Sequence, residues 1–304
     1  MEYCLETVAL SKQYKNFKAL NGLNMHVPKG SIYGFVGKNG AGKTTLIRLI
    51  CGLQLPTSGE FKLYGIPNNN KEINKARRRI GAVVETPSIY MDMTARDNLI
   101  QQFTILGIPT LDEVDSILSL VGLSDTGKKK VKNFSLGMRQ RLGIAMALCG
   151  NPDLLILDEP INGLDPQGII EIRELILRLN KEKDITFIIS SHILDELSKI
   201  ATNYGFIDRG VLITELSKEE LENSCKKALH VVVNDTRKLI TAINQSNIDC
   251  DIVSDTEADI YSDIKISELV RLLDKQDCEL IQATQRDESL ESFYMNLVGG
   301  DKNE

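Results

Sequence analysis

The chain has 304 residues, 42% hydrophobic and 26% charged, with a formal net charge of −6 at pH 7. That composition suits a globular protein with room for one large domain and a smaller one, and it contains no run of eighteen apolar residues able to span a bilayer. The acidic balance argues against a sequence-independent grip on nucleic acid, and six cysteines without a CxxC pair argue against a zinc or disulfide framework.

The opening MEYCLETVAL has no basic stretch followed by an apolar core, so no secretory signal is read there and a cytoplasmic location is expected. From residue 1 to about 215, short runs rich in Val, Ile and Phe alternate with helical patterns, the order of a mostly parallel α/β sheet covered by helices. SIYGFVG (31–37), DLLILDE (153–159) and ITFIISSH (185–192) read as buried central strands, each ending in polar residues. In open parallel sheets that end is where ligands collect. Between 87 and 150 strand signals fade, and ARDNLIQQFTILG, LDEVDSILSLVG and LGMRQRLGIAMALCG carry helical spacing. Past about 220, ALHVVVND, TRKLITAINQS, DCDIVSDT, ADIYSD, ISELVRLLDKQ, CELIQATQ and SLESFYMNLV run strand, helix, strand, strand, helix, strand, helix. That is the order of a small ferredoxin-like, or split βαβ, domain. The basic clusters KARRR (75–79) and KKKVK (128–132) read as solvated surface.

GKNGAGKTT, the run Gly37, Lys38, Asn39, Gly40, Ala41, Gly42, Lys43, Thr44 and Thr45, matches G-x-x-x-x-G-K-[ST] between a strand and the helical TTLIRLICGL. Its glycines let successive backbone N–H groups point into one concavity. Lys43 supplies a charge for the β and γ phosphates, and Thr44 offers a hydroxyl to Mg²⁺. LLILDEP (154–160) then delivers two carboxylates to a strand end, where Asp158 can hold Mg²⁺ and Glu159 can polarise the attacking water. His192 ends the strand ITFIISS at the same edge, within reach of a γ-phosphate or of Glu159. FSLGMRQR (134–141) places Ser135 and Gly137 at a helix start, a position that attracts anions.

In this order the elements resemble the nucleotide-binding subunit of ATP-binding cassette (ABC) transporters, over residues 1 to about 215. GKNGAGKTT is similar to the family's Walker A, LLILDEP to its Walker B, NGLD (162–165) to its D-loop and SSH (190–192) to its switch-histidine loop. The resemblance implies ATP and Mg²⁺ as ligands, an adenine-stacking role for Tyr14, and catalytic roles for Glu159, His192 and Lys43. FSLGMRQR resembles a divergent LSGGQ stretch, with Leu136 at a family glycine and Met138 at the family glutamine. By that resemblance Ser135 and Gly137 complete the ATP site of a second copy or of a homologous cassette, and Asp165 crosses the same interface. Glu85 in VVETPSIY stands where the family usually has glutamine, an extra carboxylate that could join Thr44 and Asp158 on Mg²⁺ but would also repel the γ-phosphate.

That exchange, the ETP run at 85–87 and the added C-terminal domain together resemble the bacitracin-resistance and lantibiotic-immunity branch. It implies an ATP-binding RecA-like core over 1–86 and 151–218, a helical signature subdomain over 87–150 and an accessory domain over 219–304. The expected function is ATP hydrolysis that energises a separate multi-span membrane permease from the inner face of the cell membrane, with residues 86–94 facing that permease and no nucleic acid bound. The alternatives are a soluble ABC-type ATPase acting on ribosomes or DNA, and an unrelated P-loop GTPase or kinase. For the last, the nearest approach to a guanine-reading NKxD is NKEK at 180–183, which lacks the aspartate.

Overall fold

A computed structural model of the chain describes residues 2–224, 227–243, 248–262, 264–287, 293–294 and 297–298, and it divides into two compact units, Met1–Lys218 and Glu219–Glu304. In the first, β1 (Tyr3–Tyr14) and β2 (Phe17–Pro28) pair antiparallel, with Tyr14 opposite Phe17 at the turn. Along β2, Leu23, Met25 and Val27 are buried while Asn24 and His26 are exposed, the period of a half-covered strand. β3 (Ile32–Val36) is buried at every position, as a central parallel strand must be. It leads into α1 (Lys43–Ile50), and β4 (Ser58–Leu63) and β5 (Ile66–Pro67) then return to the first hairpin. The resulting sheet, in order β2-β1-β4-β5, is antiparallel throughout. Apolar runs alone did not distinguish it from the parallel sheet beside it.

α2 (Ile73–Arg77) and β6 (Ile80–Val83) precede a helical stretch of α3 (Ala95–Leu106), α4 (Val114–Leu120) and α5 (Leu136–Leu148). α3 starts at a capping box between Thr94 and Asp97 and stops at Gly107, whose φ of 70° is left-handed. Gly143 on α5 meets Pro87, where an added Cβ would lie 2.6 Å from the ring. Only glycine permits that approach.

β7 (Leu154–Asp158), α6 (Pro166–Lys183), β8 (Thr186–Ser191), α7 (Leu194–Ser198), β9 (Asn203–Asp208) and β10 (Val211–Ser217) complete the unit. The second sheet runs β10-β9-β3-β8-β7-β6, parallel except for the β9–β10 hairpin. Its register matters for function. Val36 pairs with Ser191, Asp158 with Ser190 and Val83 with Leu157, so the loops after β3, β6, β7 and β8 leave the sheet at one edge.

The second unit follows α8 (Lys218–Ser224) with β11 (Lys227–Val233), α9 (Thr236–Ile243), β12 (Cys250–Ile252), β13 (Glu257–Ile260), α10 (Ile266–Asp274) and β14 (Leu280–Asp287). Its sheet is antiparallel in the order β12-β13-β11-β14, the pairing of a split βαβ fold. Val231, Val233, Ala258 and Ile260 face Leu239, Ile243, Leu269 and Leu273 in its core. The final helix expected over 289–298 lies outside the described residues except at 293–294 and 297–298.

Candidate active site

The phosphate loop is built by steric exclusion. A Cβ on Gly37 would sit 2.6 Å from the Ile207 carbonyl oxygen, and one on Gly42, at φ 114°, 2.6 Å from that of Ala19. Gly40 has open space but a φ of 82°, so there the backbone conformation is the constraint. Ala41 is buried and its N–H closes the loop on the Lys38 carbonyl at 3.1 Å, while Lys38 and Asn39 are exposed. Gly42 caps α1 without a side-chain hydrogen bond, which leaves the first N–H groups of Lys43, Thr44 and Thr45 for an anion.

Lys43 is only 5% exposed, and its ammonium donates to the Gly37 carbonyl at 2.6 Å and to that of Lys38 at 3.3 Å. Thr44 Oγ1 donates to Asp158 Oδ2 at 2.8 Å. Asp158 is 2% exposed, and its other oxygen accepts from the Ser190 hydroxyl. Glu159, at a left-handed φ of 50°, donates its N–H to the Ser190 hydroxyl at 3.0 Å. Its Oε2 lies 2.8 Å from His192 Nδ1. Its Oε1 lies 3.3 Å from Lys43 Nζ as an ion pair without hydrogen-bond geometry, so that buried oxygen has no hydrogen-bond partner. Leaving a buried acceptor unsatisfied costs about 1–3 kcal/mol. That oxygen can take a further donor, such as a water, when Lys43 turns to a phosphate.

These groups fit Mg²⁺ and a triphosphate. Hydroxyl and carboxylate oxygens are the donors Mg²⁺ takes, and the loop offers N–H groups and a buried ammonium to phosphate.

A second cluster lies at the starts of α5 and α6. Ser135 caps α5, accepting from the Met138 N–H at 3.2 Å, and Asp165 caps α6, accepting from that of Gly168 at 2.9 Å. Gly137 sits beside them, yet a Cβ there would approach nothing closer than 3.9 Å, at Gly168 and Leu164. Its own chain does not require the glycine. Leu136 next to it is exposed.

Tyr14, at the end of β1, is exposed, with its hydroxyl on Gln54 and the Lys12 ammonium 5.2 Å from its ring centre. Glu85 follows β6 and pairs with Arg48 at 2.6 Å. Ser190 and Arg48 were not singled out by the sequence. Ser190 lay within the SSH motif, but only the β7–β8 register shows that it serves Asp158. NKEK falls at the end of α6, where the Asn180 amide donates to the Gly30 and Ile185 carbonyls at 2.9 Å each. It closes a helix rather than reading a base.

A phosphate loop between a parallel strand and a helix, faced by paired carboxylates on a strand of the same sheet, defines a P-loop nucleotide hydrolase. Comparison with known proteins narrows the class. The family model described as ABC transporter matches residues 20–162. The chain is 42% identical over 305 residues to "Bacitracin transport ATP-binding protein BcrA" of Bacillus licheniformis, covering 99% of each. It is 38% identical to the protein of that name from Enterococcus faecalis, over 99% of this chain and 98% of the other. It is also 43% identical to "Lantibiotic transport ATP-binding protein SrtF" of Streptococcus pyogenes, over 70% of this chain and 91% of that one. Among solved structures, cbiO1 of Clostridium perfringens, part of the transporter complex cbiONQ, aligns with TM-score 0.66 at 28% identity over 81% of this chain and 96% of that one. The bacterial ABC transporter cassette MJ0796, solved as a dimer, aligns with TM-score 0.64 at 25% identity over 70% and 98%. The chain belongs to the ABC transporter family as an ATP-binding subunit, an ATPase that energises a transporter. The ribosome or DNA reading is not favoured. No helix among the described residues is long and apolar enough to cross a membrane.

Proposed function

We propose that two copies of this chain, or this chain and a homologous cassette, enclose ATP between the phosphate loop of one and the Ser135–Gly137 helix start of the other. Lys43 leaves the Gly37 carbonyl to meet the β and γ phosphates, and the loop N–H groups hold them in line for attack. Thr44 and Asp158 are the residues that would hold Mg²⁺, while Glu85 is taken up by Arg48; a bound ion would neutralise charge that develops on the phosphates. Glu159 accepts a hydrogen bond from the attacking water on Oε1, and His192 fixes the carboxylate through Oε2. Tyr14 stacks on adenine, and Asp165 orders the α6 start at the shared interface.

The observation that carries this reading is the buried Oε1 of Glu159, ion-paired with Lys43 at 3.3 Å yet accepting no hydrogen bond. An attacking water could donate to it once Lys43 turns to the phosphates.

The partner is a multi-span membrane permease on whose cytoplasmic face the chain sits as a peripheral subunit. A cleft of about 940 Å³, lined among others by Leu53, Arg78, Pro87, Ile105 and Met146, supports docking of a permease segment against residues 86–94. Relatives named for bacitracin and lantibiotic transport support an antimicrobial peptide of that kind as cargo, exported for resistance.

ATP turnover by the full chain reconstituted with its permease in vesicles tests the proposal. Glu159→Gln is expected to lower the rate by about 10²–10⁴ while leaving ATP binding intact. Unchanged turnover would remove Glu159 from the reaction.

A further inference from the structure

Three carboxylates stand at the ends of β6 and β7, and two of them have roles in the site just described. Asp158 takes the Thr44 hydroxyl, and Glu159 takes His192. The third is Glu85. Val83, the last residue of β6, pairs with Leu157 in parallel register, so Glu85 lies two residues past the end of β6 and Glu159 one past the end of β7. Neighbouring strands are about 4.8 Å apart. A carboxylate there, left unpaired, adds negative charge to the sheet edge that carries the phosphate loop.

Arg48 meets it. This residue lies four positions beyond Thr44, one turn along α1, and its Nη2 donates to Glu85 Oε1 at 2.6 Å. The two side chains are 37% and 59% exposed, and a pair that open adds little to folding stability. Glu85 also holds a left-handed φ of 60°, a conformation unfavourable for a residue with a Cβ. Stability therefore gives no account of the pair. Charge does.

We propose that Arg48 is a positioning residue for the nucleotide: by pairing with Glu85 it neutralises the third carboxylate, so that the triphosphate meets two acidic side chains instead of three. This rests on the reading that Lys43 and Thr44 hold the phosphates. An uncompensated carboxylate opposes a γ-phosphate by Coulomb repulsion wherever the two lie within a Debye length. ADP, lacking that phosphate, feels the repulsion less.

Equilibrium binding of MgATP and of MgADP to the full chain, measured for wild type, Arg48→Ala, Glu85→Gln and the double variant, tests this. Arg48→Ala is expected to weaken MgATP about tenfold and MgADP by about twofold or less. In the double variant MgATP affinity returns to within about twofold of Glu85→Gln alone, because no charge remains to be neutralised. The proposal fails if Arg48→Ala binds MgATP as wild type does, if both nucleotides weaken alike, or if the loss persists in the double variant. Absence of nucleotide binding by the wild type would instead overturn the reading of the site itself.

Discussion

His192 Nδ1 stands 2.8 Å from Glu159 Oε2 across the ends of two adjacent parallel strands. With Lys43 3.3 Å from the other oxygen, the histidine keeps the carboxylate from turning fully onto the lysine. His192→Ala is therefore expected to lower turnover about 10²-fold, the scale of a small misplacement of a reacting group. The KM for ATP should stay within about twofold, because the phosphates do not depend on this contact. Steady-state kinetics separate the two, and a rise in KM with kcat unchanged would place His192 in binding instead.

Gly137 gives a test that divides folding from function. Its own chain has room for a methyl, and alanine favours a helix by roughly 0.8–1.0 kcal/mol over glycine. Gly137→Ala should melt at the same temperature or higher, yet lose ATP-driven pairing and turnover. Ser135→Ala, which removes the α5 cap, should cost about 0.5–2 kcal/mol in denaturant unfolding as well. If Gly137→Ala keeps full turnover, the bare backbone there serves no ligand.

Gly143→Ala tests the join between α5 and the segment after Glu85. The added methyl meets Pro87 at 2.6 Å and should destabilise the chain by about 1–3 kcal/mol, read as a fall in the denaturant midpoint. An unchanged midpoint would mean that Pro87 yields freely.

The phosphate loop was legible because all of its residues are consecutive and its flanking strand and helix announce themselves by composition. Asp158 and Glu159 were legible for the same reason, adjacent at the end of an unbroken apolar strand. Arg48 and Ser190 were not. Arg48 meets Glu85 across 37 positions and Ser190 meets Asp158 across 32, and only strand register and the seating of α1 bring them together. The antiparallel β2-β1-β4-β5 sheet was hidden likewise, since short apolar runs carry no sign of strand direction. In the second unit the order of strands and helices was readable, while the pairing order β12-β13-β11-β14 is a property of the folded chain.

Alkaline pH should weaken the fold through its buried and half-buried thiols. Burial pushes Cys51 up to about 11 from an ordinary 9.0, and Cys4 and Cys149 up to about 12. Between pH 9 and 11 the unfolded chain loses these protons while the folded chain keeps them, so stability present below pH 9 falls as pH rises. Each fully protected thiol contributes a slope of about 1.4 kcal/mol per pH unit in that window. Urea titrations at pH 8 and pH 10.5 on wild type and Cys4→Ala measure it. A wild-type midpoint independent of pH would contradict the burial of these groups.

The central claim is that one copy's Ser135 and Gly137 cap the nucleotide that another copy's Lys43 grips. Its most direct measurement is the mass in solution of Glu159→Gln loaded with MgATP, with and without Gly137→Ala. The account predicts a dimer that retains ATP in the first case and a monomer in the second. ATP-loaded Glu159→Gln that stays monomeric alone and in the permease complex, or a dimer indifferent to Gly137, would contradict it.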